Sequence, residues 1–541
     1  MKRIQGWGNI ETDYPVPEPA QKYLAGAVGT PLKLTNIPIE NLLKKVPQSN
    51  LPPHPGILVD PETRLRHARG QSLNDWIDMF DGMVNTFPDG VIYPNNEEEI
   101  RNVVQYAQTH GVNLIPYGGG SSVVGHLTPP DEGLPTLSID LGNMNQLLEL
   151  NPENLEATFE AGISGPQLED QLNKHGFILG HFPQSWEYST LGGWIVTRSV
   201  GQQSYHYGRI EPLFVSGHME TPSGPLDFPH VPKSAAGPDL RHIALGSEAR
   251  LGILTKATMR IRRLPEKEAF YAAFFPNFSI GLEALREIAQ AELNLSMLRL
   301  SDPMETETTF QLSGEEKLVG YAKKGLNLFG QGEERCMLIY GLTGSQASNK
   351  LADRQLAHLV RKHQGMMVKF FLGEAWIEKR FLTPYLRNTL WNLGYALDTL
   401  ETALPWDKIL EGRNAIVTEL GKGLTAESEK VLVFSHISHV YTNGASLYIT
   451  YLYRRAQDPL QTLERWQYLK GAASRAIVAQ GGTITHQHGV GLDHRPYLET
   501  EKGPLGMRIL ENIVKDIDPH QVMNREKLVK LGISQEDGHA R

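Results

Sequence analysis

An α+β fold built around a nucleotide-binding domain is what this 541-residue sequence predicts, and three observations predict it. The first is the run Pro116-Tyr117-Gly118-Gly119-Gly120-Ser121-Ser122-Val123, which follows the apolar stretch Gly111 to Ile115 and reads as a strand ending in a glycine-rich turn. Three consecutive glycines remove every Cβ from the turn, so backbone N–H groups can converge on anionic oxygens, and two hydroxyls add donors. The second is the alternation of short β-rich and helical runs from Gly90 to about Pro265. The third is a change after Glu266 to longer helical segments separated by strands, which marks a second, substrate-covering domain.

In chain order, residues 1–80 hold many prolines, including Pro52-Pro53-His54-Pro55, and only short amphipathic segments, as expected of a wrapping arm. Residues 81–265 form the nucleotide domain. Gly90 to Pro94 predicts a strand and Glu97 to Gly111 a helix, whose start has an asparagine cap followed by acids that suit the helix dipole. Thr136 to Leu141 and Ala157 to Gly162 predict further strands. Ser189 to Ser199 places small residues, hydroxyls and Arg198 against a cofactor or, equally well, forms a tight helix packed on a sheet through Gly192-Gly193. Gly246 to Thr255 leads into a strand from Lys256 to Arg263, and Pro265 ends the block. In residues 266–480, Cys336 to Tyr340 and Ser446 to Tyr453 predict strands.

The last segment, 481–541, carries Thr485-His486-Gln487-His488-Gly489-Val490-Gly491. Histidines at i and i+2 lie on one side of an extended strand, so both rings could face one pocket and move protons near neutral pH. The alternative is a pair of surface histidines beside a turn. A metal would need further ligands, commonly a carboxylate, and Gln487 supplies a neutral amide, so no metal is expected.

Composition excludes several classes. Lys plus Arg is 52 against 61 for Asp plus Glu, a net charge of −9 that argues against a nucleic-acid footprint. The single Cys336 forms no internal disulfide and no cysteine zinc cluster, which suits a reducing compartment. No signal peptide or membrane span is expected, nor a peroxisomal address at Gly538-His539-Ala540-Arg541, so a cytoplasmic location is. The glycine turn lacks both Gly-Lys-Ser/Thr and Gly-x-Gly-x-x-Gly, which argues against a P-loop and a Rossmann fingerprint.

Taken together, the glycine groups and the His-Gln-His-Gly-Val-Gly run resemble the alkyldihydroxyacetonephosphate synthases, flavoproteins of the vanillyl-alcohol oxidase type. The supporting segments occur in the family's order: Arg66 to Gln71, Pro116 to Val123, Ala161 to Gly165, Ser189 to Ser199, Gly208 to Glu211, Gly237 to Asp239, Gly246 to Glu248, Ser446 to Tyr448 and His486 to Gly491, with a weaker echo in Gly6-Trp7-Gly8. The resemblance implies a PCMH-type FAD-binding domain, an α/β cap domain and a noncovalently held FAD. It places Tyr117, Gly118, Gly119, Gly120, Ser121, Ser122 and Val123 at the pyrophosphate, and Gln184, Ser185, Ser189, Thr190, Gly193, Thr197, Arg198, Ser199, Glu248, Gly252 and Ile253 along the rest of the cofactor. Relatives that attach FAD covalently carry a histidine where Gly120 stands.

The family exchanges the acyl chain of acyl-dihydroxyacetone phosphate for a fatty alcohol without net redox change, and its flavin acts as a nucleophile. The match puts Tyr448 at the catalytic tyrosine, where neighbouring positive charge would favour its phenolate, with Tyr451 and Tyr453 as competing candidates. It puts Arg387 and Lys233 at substrate-binding positions and His486 and His488 in the catalytic histidine cluster. A homodimer and peripheral contact with a membrane, where the lipid substrates reside, are also implied. Three departures from the family stand out. Gln487 replaces a histidine, Lys233 replaces an arginine, and Ala249-Arg250 replaces a Gly-Thr pair, which could shift the flavin site. The rival reading is a flavin dehydrogenase for D-2-hydroxy acids, which shares the glycine turn and a similar His-Gly-Val/Ile-Gly ending. Its metal-holding glutamate and His-rich segment correspond here to Gln487 and Tyr448.

Overall fold

Buried Leu114 and Ile115 carry strand Asn113–Tyr117 into a three-stranded parallel sheet, in the order Gly90–Ile92, Thr136–Asp140, Asn113–Tyr117. Helix Glu97–His110 covers this sheet with Ile100, Val103, Val104 and Ala107, which recur at helical spacing. Asn96 caps the helix by accepting from the Glu99 amide at 2.9 Å. The computed structural model of the chain describes residues 1–314, 316–369 and 372–531, so the C-terminal Gly538 to Arg541 lies outside the described residues.

A five-stranded antiparallel sheet follows, in the order Leu147–Asn151, Glu156–Glu160, Ile253–Arg260, Phe214–Thr221, Gly224–Phe228. The strand expected from Lys256 to Arg263 begins earlier and breaks after Arg260. Its remainder, Arg262–Arg263, pairs instead with Phe177–Ile178. Helix Leu191–Thr197 packs on this sheet so closely that a Cβ at Gly192 would come within 3.0 Å of the Ala161 carbonyl oxygen.

Beyond Pro265 lies a seven-stranded, wholly antiparallel sheet, in the order Met366–Val368, Lys267–Phe275, Cys336–Gly344, Met297–Ser301, Leu432–Val440, Gly444–Arg454, Tyr395–Pro405. Leu447, Ile449, Tyr451 and Tyr453 alternate onto one face and join a core with Ile409, Ile416, Trp466 and Leu469 from helices Trp406–Lys422 and Pro459–Ala479. The intervening residues of strand Gly444–Arg454, Tyr448 among them, point to the opposite face.

The N-terminal segment connects the two halves. Lys2 Nζ donates to Gly119 O at 2.7 Å in the glycine turn, while Trp7 exchanges two 2.9 Å backbone hydrogen bonds with the Asn388 side chain on helix Thr383–Asn392. Gly8 is fixed by this contact, because a Cβ there would meet the Tyr385 ring at 2.2 Å.

Candidate active site

At the glycine turn the amides of Gly119, Gly120, Ser121, Ser122 and Val123 donate to no protein acceptor among the described residues. Such a run of free N–H groups is an anion cradle. Its glycines are required by close approach: a Cβ at Gly118 would lie 2.3 Å from Thr190 Oγ1, one at Gly119 would lie 1.8 Å from Tyr188 O, and Gly120 has φ +68°. The turn therefore fits a diphosphate and holds the segment Tyr188–Thr190 against itself. Gln71 ties the cradle to its surroundings, its amide donating to Ser122 O at 2.6 Å.

The other cofactor candidates divide by what their side chains already do. Ser189 Oγ accepts from Trp194 Nε1 at 2.7 Å, Thr197 Oγ1 donates to Gly193 O at 2.8 Å, and Ser199 Oγ lies 3.1 Å from His181 Nε2. Arg198 takes a left-handed φ of 56° and pairs with Glu211 at 3.0 Å. Ser185 O accepts two turn hydrogen bonds, Gln184 is exposed, Gly252 packs against Glu220 O and Ile253 begins a strand. Glu248 is buried, but its carboxylate accepts from the amides of Val490 and Gly491 and contacts His126 Nε2 at 2.8 Å. Glu248 thus positions the 489–491 loop with its side chain. Arg250, expected to alter the flavin site, instead anchors the C-terminal segment through Asp518 at 3.0 Å and Met523 O at 2.7 Å.

The second group of residues surrounds Tyr448. It lies directly opposite His436 on one neighbouring strand and Glu401 on the other, so all three share a face of the sheet. Its hydroxyl donates to Thr399 Oγ1 at 3.0 Å. Burial, with Glu401 and Asp398 nearby, pushes the phenol well above its ordinary pKa of 10, against the smaller opposing pull of Thr399 and Arg299. The expectation that nearby cations favour the phenolate is therefore corrected: Tyr448 is a phenol at neutral pH. Tyr451 and Tyr453 are spent in the core on the other face, where their hydroxyls donate to Asp398 and to Thr462 O.

The histidine run is a loop and forms no strand. Glu401 is the reason: its Oε1 accepts from the amides of His486, Gln487 and His488 at 3.1 Å each and from the Thr485 hydroxyl at 2.8 Å, so these amides converge on one carboxylate and no ladder can form. The two rings also have different partners. His488 Nδ1 lies 2.7 Å from Glu401 Oε2, and its ring meets Tyr448 edge-on with centroids 5.8 Å apart. Burial works to raise the Glu401 carboxyl, yet the contact with His488 holds it well below the usual range.

His486 Nε2 is approached at 2.7 Å by both Arg209 Nη1 and the Tyr441 hydroxyl. A guanidinium can only donate, so Nε2 accepts and the ring proton sits on Nδ1, which is buried without a partner. Burial and the Arg209 charge push this histidine down to about 3. His486 is therefore a neutral hydrogen-bond donor and does not titrate near neutral pH.

Arg387 rests with its guanidinium 4.2 Å from the centroid of the Trp76 ring and donates from Nη1 to Gln71 O at 2.6 Å. Its Nε and Nη2 are buried without partners, as a two-point anion contact requires. Lys233 does not join this group. It stands in an exposed segment spanning 229–240, with a left-handed φ of 51°. Sequence reasoning missed Glu401, whose signal was an acid inside the apolar strand Tyr395–Pro405, and gave Arg209 no role although its segment was recognised.

Residues 88–226 match a family described as an FAD binding domain, and residues 264–528 match one described as the C-terminal domain of FAD linked oxidases. An alkyldihydroxyacetonephosphate synthase from Dictyostelium discoideum is 32% identical over 87% of this chain and 78% of its own. The chain belongs to the alkyldihydroxyacetonephosphate synthase family. A solved structure of an alkyldihydroxyacetonephosphate synthase superimposes with a TM-score of 0.84 at 28% identity, covering 97% of this chain and 99% of the other. A mitochondrial D-lactate dehydrogenase from Arabidopsis thaliana is 24% identical over 90% of the chain and 79% of its own. A p-cresol methylhydroxylase structure, 13% identical with a TM-score of 0.64 over 90% of this chain and 96% of its own, shares the fold. The fold of the synthase structure thus extends over 97% of this chain, and the cofactor is FAD. No helix among the described residues is long and apolar enough to cross a membrane.

Proposed function

We propose that this chain exchanges the acyl chain of an acyl-dihydroxyacetone phosphate for a fatty alcohol, releasing a fatty acid and forming the ether bond of an ether lipid precursor. The observation that carries this reading is Tyr448 set beside the Glu401-braced His488, with Arg387, whose charge Tyr448 is near enough to affect, offering two buried, unpartnered guanidinium nitrogens. Residues 81–265 are taken as the FAD domain, 266–480 as the cap and 481–541 as the segment completing the site, with 1–80 as an arm across both. The glycine turn would hold the FAD diphosphate, and Gly120 offers no side chain for a covalent flavin bond, so the flavin should be extractable. The chemistry a bound flavin supplies is nucleophilic catalysis at substrate carbon 1.

The chain's own residues do the rest. Arg387 presents a forked donor to the phosphate and fixes that end of the substrate. His488 keeps its Nδ1 proton on Glu401, which leaves Nε2 to take a proton from Tyr448 or from carbon 1. The Nδ1–H of His486 adds a fixed donor from the same loop. A homodimer and peripheral membrane contact form part of the same reading, since both substrates carry long apolar chains.

The test is turnover of FAD-loaded protein with palmitoyl-dihydroxyacetone phosphate and radiolabelled hexadecanol. Label should enter the phosphate-bearing ether lipid, with one palmitate released per ether formed and no dye reduction. Dye reduction by D-lactate without alkyl exchange would instead establish a hydroxy-acid dehydrogenase.

A further inference from the structure

Tyr448 has a second carboxylate–histidine pair on its other side. His436, only 8% exposed, stacks its ring on that of Tyr448 with centroids 5.0 Å apart and planes at 16°. His436 Nδ1 lies 3.0 Å from Glu305 Oε1, supplied by helix Pro303–Leu312, and 3.1 Å from Arg299 Nη2 on strand Met297–Ser301. Arg299 also pairs directly with Glu305. Nδ1 thus faces a donor and an acceptor, but Arg299 Nη2 lies closer to Glu305 Oε1, at 2.5 Å, and gives its hydrogen bond there; an unprotonated Nδ1 would turn a lone pair toward the same buried carboxylate, so the proton belongs on Nδ1, donating to Glu305. Nε2 is then the nitrogen with a free lone pair, and it has no protein partner among the described residues. His439 and Asp302 complete the titratable groups around the ring. Asp302 is already held by Arg413 at 2.6 Å and by Ser435, and His439 lies 3.0 Å from Ser204 Oγ.

The proposed exchange moves more than one proton. At carbon 1 the bond to the acyl carboxylate breaks and its electron pair leaves with the carboxylate. A lone pair of the alcohol oxygen forms the new bond, and the hydroxyl proton is left to be placed. Nothing is oxidised or reduced. An aliphatic alcohol is about as weak an acid as water, so its attack is slow without a base. Tyr448 and His488 are committed to the carbon-1 hydrogen, and His486 carries its proton on Nδ1 with Nε2 already occupied.

We propose that His436, braced by Glu305, is the general base that accepts the hydroxyl proton of the incoming long-chain alcohol at Nε2. The assignment rests on the proposed function and adds a residue specific to its second half.

The test separates the two halves in FAD-loaded protein. For His436→Gln, palmitate release from palmitoyl-dihydroxyacetone phosphate in a single turnover without alcohol should stay within about twofold of wild type. Ether formation on adding hexadecanol should fall by about 10²-fold or more. The deficit relative to wild type should narrow with a long-chain alcohol fluorinated at carbon 2, whose hydroxyl is more acidic. Glu305→Gln, which keeps a hydrogen bond but loses the charge, should lower ether formation less. Flavin affinity and melting temperature should match wild type, and His436→Asn replaces the glutamine variant if that protein does not hold FAD. Equal slowing of both halves, unchanged ether formation, or a deficit that ignores alcohol acidity would overturn the assignment. A wild-type protein that releases no palmitate at all would overturn the exchange function itself.

Discussion

Tyr448 is kept protonated by its neighbours, and that fixes what it can do. Burial and two nearby carboxylates, Glu401 and Asp398, oppose a negative phenolate, so the residue works as a proton donor until a partner takes its proton. Tyr448→Phe removes the hydroxyl and its contact to Thr399 while preserving the stacked ring. Flavin absorbance should be unchanged and alkyl exchange should fall by about 10²- to 10⁴-fold. Wild-type turnover in that variant would remove Tyr448 from the chemistry. The tyrosine was legible in sequence through the Ser446 to Tyr448 match, but its protonation state was not. That depended on Glu401 and Asp398, which reach it only through strand pairing with Tyr395–Pro405.

The glycine turn and the histidine loop differ in how much of them can be read locally. The turn is a local device: strand, glycines and hydroxyls follow one another in sequence, and the five free amides from Gly119 to Val123 match what that order predicts. Even there, the requirement for Gly119 comes from Tyr188 O, which a Cβ would meet at 1.8 Å. Gly119→Ala must open that contact and should cost most of the bound flavin, read as the absorbance ratio of flavin to protein, while the far-ultraviolet dichroism is kept. Retention of full flavin would show that the turn is not the cofactor cradle.

The histidine loop could not be read locally. Its alternating histidines suit a strand, yet a carboxylate more than eighty residues earlier gathers its amides. Glu401→Gln weakens three charge-assisted amide contacts and the bond to His488 together. Exchange activity should drop by about 10²-fold with the sheet intact, because the orientation and proton preference of His488 are lost.

Across the whole molecule, buried histidines set the response to acid. His181, His486 and His494 are each held at about 3 by burial, below an ordinary value of 6.5. Between those values the unfolded chain binds the extra proton, so each contributes stability above pH 6.5 that is lost as pH falls toward 3. Glu169 and Asp493, raised to about 7 by burial, act in the opposite direction, because the folded form holds their protons up to pH 7. Three groups outweigh two between about pH 4.5 and 6.5, so the melting temperature should rise with pH across that window. His181→Gln should flatten the rise, and a melting temperature that falls with pH there would contradict these assignments.

The seven-stranded sheet starts at Lys267, where the sequence changes from short alternating elements to longer helices. The all-antiparallel order of that sheet was not legible in sequence, since it joins strands as far apart as Lys267–Phe275 and Tyr395–Pro405. That distant pairing is what brings His436, Tyr448 and Glu401 side by side.

The measurement that bears most directly on the exchange function is the flavin absorbance of the purified protein under anaerobic conditions, followed while palmitoyl-dihydroxyacetone phosphate is added. A separate sample receives D-lactate. Bleaching by the acyl phosphate with release of palmitate, reversed by hexadecanol, is the predicted result. Bleaching by D-lactate alone, with no response to the acyl phosphate, would contradict it.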